Sequence, residues 1–128
     1  MAYYISTRVD GAMEDAIART EEALKAEGFG VLTRIDIADT LKKKIDADFR
    51  PYVILGACNP GMAHKALQLE DKVGLMLPCN VIVQQVDGGI EVAAIDPVAS
   101  MQAIDNPQLH EAAEQVRAML AAAIARLG

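Results

Sequence analysis

Two cysteines, each followed by asparagine, and one nearby histidine are the residues best suited to chemistry: Cys58-Asn59-Pro60, Cys79-Asn80 and His64. Asn59 is a good helix cap and Pro60 suits a first helical position, so a helix should start beside Cys58. The positive end of its dipole would favour thiolate over thiol there. Cys79 follows Leu77-Pro78 at the expected start of a strand. The two cysteines are 79 − 58 = 21 residues apart and form no Cys-x-x-Cys motif, so their proximity depends on the fold. Imidazole and thiolate both suit iron, copper and zinc. Cys58, Asn59, Cys79 and Asn80 therefore make a candidate small-ligand site, with His64 a candidate haem-iron ligand, one from each chain of a homodimer. One histidine and two cysteines do not close a structural zinc site without a fourth ligand. The competing readings are a thiol-dependent redox enzyme, with Cys58 attacking and Cys79 resolving, and a purely structural dimerisation domain in which the cysteines only pack, since free cysteines are often small buried apolar residues. His64 itself also reads as a surface histidine, because Ala63 and Lys65 flank it beside the apolar stripe rather than on it. His110, beside Glu111, reads as a solvated residue at a helix start.

Other chemistries find less support. Ser6 and Ser100 lack a Gly-x-Ser-x-Gly context. The carboxylate pairs Glu14-Asp15, Glu21-Glu22 and Glu70-Asp71 fall on polar helix faces or helix ends, where solvation explains them. Gly28-x-Gly30 follows a helix rather than a strand and is no phosphate loop. The basic run Lys42-Lys43-Lys44 is flanked by Asp36, Asp39, Asp46 and Asp48 and reads as a solvated helix face.

The elements that must position these groups follow from periodicity. Tyr3 to Val9 alternates as a strand with Tyr3, Ile5, Thr7 and Val9 on one side. Asp10 should cap a helix carrying Met13, Ile17, Thr20 and Leu24, which Gly28 ends. Phe29 to Ile35 reads as a second strand. Asp36 caps a short helix whose Leu41 and Ile45 should face inward. Tyr52 to Ala57 is apolar throughout, as a central strand buried on both faces would be. The helix after Cys58 should bury Met62, Ala63, Ala66 and Leu67. Val73 to Pro78 has no clear pattern. Val81 to Val86 and Ile90 to Ile95 flank Asp87-Gly88-Gly89, a hairpin signal. Asp96-Pro97 breaks the second strand, and a turn follows over Val98 to Ile104. Asn106-Pro107 opens a last helix with Leu109, Ala113, Val116, Leu120, Ile124 and Leu127 on one face. Its alanine-rich face suits close packing against the sheet or a second chain. The succession predicts an α+β fold in one domain over residues 1–128, with a mixed or antiparallel sheet covered by helices.

The totals agree. A chain of 128 residues, 52% hydrophobic and 23% charged, matches one packed domain with an aliphatic core, because aromatics make up only 4%. A net charge of −6 disfavours nucleic acid as a partner, since neutralising phosphates takes surplus Lys and Arg. No apolar run approaches the roughly 20 residues of a membrane span, and the N-terminus has no signal-peptide pattern. A cytoplasmic location is expected by default, where the cysteines would be thiols or a reactive pair.

Nearly the whole chain resembles a bacterial and archaeal family called domain of unknown function 302. The likeness rests on Gly28-Phe29-Gly30-Val31-Leu32, Asp36 with Thr40-Leu41-Lys42-Lys43-Lys44, and Asp48-Phe49-Arg50-Pro51-Tyr52. It continues in Ile54-Leu55-Gly56-Ala57-Cys58-Asn59-Pro60, Ala63-His64-Lys65-Ala66-Leu67, Gly74-Leu75-Met76-Leu77-Pro78-Cys79-Asn80-Val81 and Asp96-Pro97. The resemblance implies a compact α+β domain that pairs as a homodimer. It also implies haem bound through a histidine at the dimer interface, with His64 the matching position, and assigns no activity.

Overall fold

The computed structural model describes residues 2–128. Its frame is a five-stranded sheet, antiparallel at every pairing, in the order β1-β5-β4-β3-β2. The strands are β1 (Tyr4–Val9), β2 (Gly30–Asp36), β3 (Tyr52–Cys58), β4 (Cys79–Val86) and β5 (Gly89–Ile95). The helices are α1 (Met13–Ala26), α2 (Ile37–Ile45), α3 (Pro60–Leu69), α4 (Pro97–Ser100) and α5 (Pro107–Ala125), with a 3-10 turn over Asp71–Met76. The fold is α+β.

Alternation along the strands puts two sets of side chains on opposite faces. One face, carrying Val53, Leu55, Val81, Val83, Val92 and Ala94, packs beneath α1 and α5. Ile17, Leu24, Leu120 and Ile124 of those helices complete this main core. A smaller cluster lies beyond one end of the sheet, where Ala66, Val73, Met101, Leu109 and Ala113 meet.

Among the described residues no helix covers the sheet's other face. Ile54 of β3 and Ile82 of β4 are only half-buried there, whereas Leu55 and Val81 on the covered face are fully buried. The expectation that β3 is buried on both faces is thus corrected. An all-apolar run signals burial from water but does not distinguish a helix lid from an uncovered, apolar sheet face.

Local chemistry fixes the junctions. Gly28 (φ +89°) follows α1 in the left-handed region, with its N–H donating to Lys25 O and the Phe29 N–H to Leu24 O. Gly88 (φ +84°) closes the two-residue β4–β5 turn. Three sequence expectations need correction. Ala12, not Asp10, is the cap residue of α1, and no side chain caps that helix, because the chain turns through Gly11 before it starts. Ile45 is 69% exposed, since α2 is short and turns partly inward only through Ile37, Ala38, Thr40 and Leu41. Leu67 is 45% exposed, leaving Met62, Ala63 and Ala66 as the inward stripe of α3. The Lys42-Lys43-Lys44 face is solvated as expected, with Lys42 paired to Asp46 and Asp48 and Lys43 to Asp39.

Candidate functional site

The β3–α3 turn is built from its cap. Asn59 accepts a hydrogen bond from the Met62 N–H at 3.0 Å, satisfying one of the free donors of the helix start. The same side chain donates through Nδ2 to the Gly28 carbonyl at 3.1 Å. One amide therefore ties the start of α3 to the end of α1. Asn59 is occupied at both ends by structure.

Beside this turn lies a cavity of about 40 Å³ at the seam between the two hydrophobic clusters. Ala57 and Cys58 enter it from β3, Met62 and Ala66 from α3, Cys79 from β4 and Ala113 from α5. The fold therefore brings both cysteines to one wall. Ala57 is the register partner of Cys79 across the β3–β4 ladder, which places the two thiols at neighbouring strand ends. The Leu77-Pro78 peptide bond, one residue before the bond to Cys79, is cis.

Cys58 is partly exposed and Cys79 buried, and both are free thiols. Burial, with a smaller contribution from the neighbouring Cys58, pushes the Cys79 thiol up to about 11. Cys79 therefore stays protonated at neutral pH, the reverse of what an attacking or resolving thiolate needs.

The remaining candidates lie elsewhere. Asn80 is exposed on the uncovered sheet face, in a separate shallow hollow. His64 is exposed on α3 and does not line the cavity, although its neighbours Ala63 and Met62 do. A haem does not fit this cavity: 40 Å³ is about a tenth of an ordinary ligand pocket, and no histidine points into it. Among the described residues no three His, Cys, Asp or Glu side chains cluster to hold a metal ion.

Sequence reasoning missed two polar groups that shape this end of the molecule. Asp96, almost fully buried, caps α4 by accepting from the Val98 N–H and pairs with Arg117 Nε at 2.9 Å. The Asp-Pro pair was visible as a strand break, but its partner on α5, 21 residues further along the chain, was not. His110 is not a solvated helix-start residue: it is half-buried and bonded through Nε2 to the Ile104 carbonyl, because the preceding loop folds back over the helix start.

The family described as Domain of unknown function DUF302 matches residues 5–127. The chain belongs to this family. A crystal structure of an uncharacterized conserved DUF302 protein from Bacillus stearothermophilus is 34% identical and superposes with a TM-score of 0.94, covering 100% of both chains. No curated protein sequence matches the chain. The DUF302 fold, then, frames a thiol-lined apolar cavity, and no helix among the described residues is long and apolar enough to cross a membrane.

Proposed function

We propose that this DUF302 chain is a homodimeric binding module whose ligand is a small apolar molecule, or the apolar end of a longer one, held in the Cys58–Cys79 cavity. The observation that carries this reading is the cavity itself. It is walled by alanines, methionines, other apolar side chains and the two cysteines, and it opens beside a helix start that Asn59 holds in place. Its size admits a group of a few heavy atoms, so the ligand is much smaller than haem. The partly exposed Cys58 thiol sits where it can contact whatever enters. Binding is favoured over thiol redox chemistry because burial keeps the second thiol protonated. A cytoplasmic setting, where both cysteines stay reduced, suits this reading.

Xenon is the direct probe. Pressurised xenon should shift backbone NMR signals at Ala57, Met62, Ala66 and Ala113 saturably, and Ala113→Leu, which fills the space, should abolish the shifts while leaving a cooperative melt. Unshifted signals at those positions would sink the reading. Haemin titrated into the same sample should give no saturable Soret change; a change lost in His64→Ala would instead put haem on the α3 surface.

A further inference from the structure

The uncovered sheet face has an organised pattern. The ladder registers place Ile35, Ile54, Ile82, Ala93 and Ser6 in one line straight across all five strands. On one side of that line run Thr33, Gly56, Asn80, Ile95 and Tyr4. On the other run Tyr52, Gln84, Glu91 and Arg8. An apolar stripe of Ile35, Ile54, Ile82 and Ala93, ending at Ser6, thus crosses the middle of the face between a mixed row and a polar row.

The charges are the second observation. The chain holds 18 acidic and 12 basic residues, yet among the described residues this face presents only Arg8, Arg50 and Glu91. Depletion of charge at the centre of an apolar surface is a mark of protein interfaces. The three that remain are held in place. Arg50 lies 4.4 Å from the Phe49 ring centroid and donates to Gln84 Oε1, and Gln84 donates in turn to Glu91 Oε1 at 2.8 Å. Arg8 donates to the Asp87 carbonyl. The polar row therefore carries both signs, with the acid between two bases, and offers each sign to an identical row on another copy.

Size is the third. Five strands at about 4.8 Å spacing and about 20 Å length give a face on the order of 500 Å². Two such faces bury about 1,000 Å², the lower bound of a specific interface. The shallow hollow of about 400 Å³ over Tyr52, Ile82 and Ala93 would close between them.

Resting on the homodimer reading above, we infer that the second copy of this chain docks on the uncovered sheet face, stripe against stripe, in an isologous sheet-on-sheet pair. Aligned sheets packed through interdigitating aliphatic side chains are a standard solution for such a surface. A second copy fits better than an unrelated partner because the charged row is complementary to itself. The cavity beside Cys58 is no part of this contact, being walled mainly from the helix side.

Sedimentation equilibrium of the intact chain from 1 to about 100 µM tests the inference. The wild type should sediment as a dimer, and Ile82→Arg, which puts a charge in the stripe without touching the helix-covered core, should raise the dissociation constant at least 100-fold. Arg8→Glu and Glu91→Arg should each weaken the dimer, and the double variant should recover most of the loss. A monomeric wild type overturns both this inference and the homodimer reading. A dimer that Ile82→Arg and both charge variants leave untouched overturns the sheet face alone. Circular dichroism melts of the variants separate lost association from lost folding.

Discussion

At the scale of single residues, Cys79 and Cys58 differ more than their matching sequence contexts suggest. Each precedes an asparagine, but one sits at the partly open end of β3 and the other is buried at the start of β4. Burial disfavours the thiolate of Cys79, which titrates at about 11 against an ordinary value of 9.0. The sign follows by linkage. Between those values the unfolded chain has released this proton and the folded chain has not, so the unfolded state binds fewer protons and stability falls as pH rises. The contribution is fully present below pH 9 and lost by about pH 11, with an upper bound of roughly 2–3 kcal/mol for a shift of this size. Tyrosines and lysines titrate in the same range, so the measurement is a difference. Urea midpoints of wild type and Cys79→Ala should converge between pH 8.5 and 11, the wild type losing more. Parallel lines across that window would show that Cys79 ionises as freely as in the unfolded chain. The two Cys-Asn pairs were legible in the sequence as candidates, but Asn80 lies apart from the cavity. The inequality of the two cysteines was not legible, because burial is a property of the surroundings.

At the scale of elements, the caps and turns were the most legible part of the chain. Asn59-Pro60, Asp36, Asn106-Pro107, Gly28 and Asp87-Gly88 each announce a local geometry that needs nothing distant to form. Asp10 failed for an instructive reason: capping residues are permissive, and Gly11 displaced the helix start beyond its reach. Gly56 shows the opposite limit. A Cβ there would collide with the Thr33 hydroxyl and the Pro78 ring, which a strand pattern does not reveal. Asn59 joins the two levels, since its cap is local and its bond to Gly28 is not. Asn59→Ala should therefore cost more than an ordinary cap, about 1–2 kcal/mol for the cap and long-range bond together. Asn59→Asp keeps the acceptor for Met62 N–H and loses only the donor to Gly28 O, so it should fall between. The two variants' urea denaturation curves measure this, and an Asn59→Asp chain as stable as the wild type would mean that the tie to Gly28 contributes nothing.

At the scale of the whole molecule, the fold divides unequally. The sheet, α1 and the C-terminal half of α5 share one continuous core, whereas α3, the 3-10 turn, α4 and the start of α5 close on the smaller cluster around Val73, Met101 and Leu109. Periodicity showed which residues are apolar, but not that they settle into two groups with a cavity at the seam, because assignment to one cluster or the other depends on tertiary placement. Among the described residues few polar ties bridge the seam, Asn59 to Gly28 and Arg117 to Asp96, whereas Asn106 to the Leu69 carbonyl joins α3 and α5 within the smaller cluster. Elements with fewer buried apolar contacts open at lower free energy than the main core. Native-state hydrogen exchange should therefore show α3 and the 3-10 turn exchanging through a sub-global opening, at lower free energy than the central strands β3, β4 and β5. Because the cavity lies on that seam, the proposed ligand should enter by the same opening. Xenon should then slow exchange in α3 as well as in β5, since a ligand stabilises the native state against every opening that destroys its site. Exchange of α3 at the global unfolding free energy would show one cooperative unit, and would require the cavity to fill through the static opening beside Cys58.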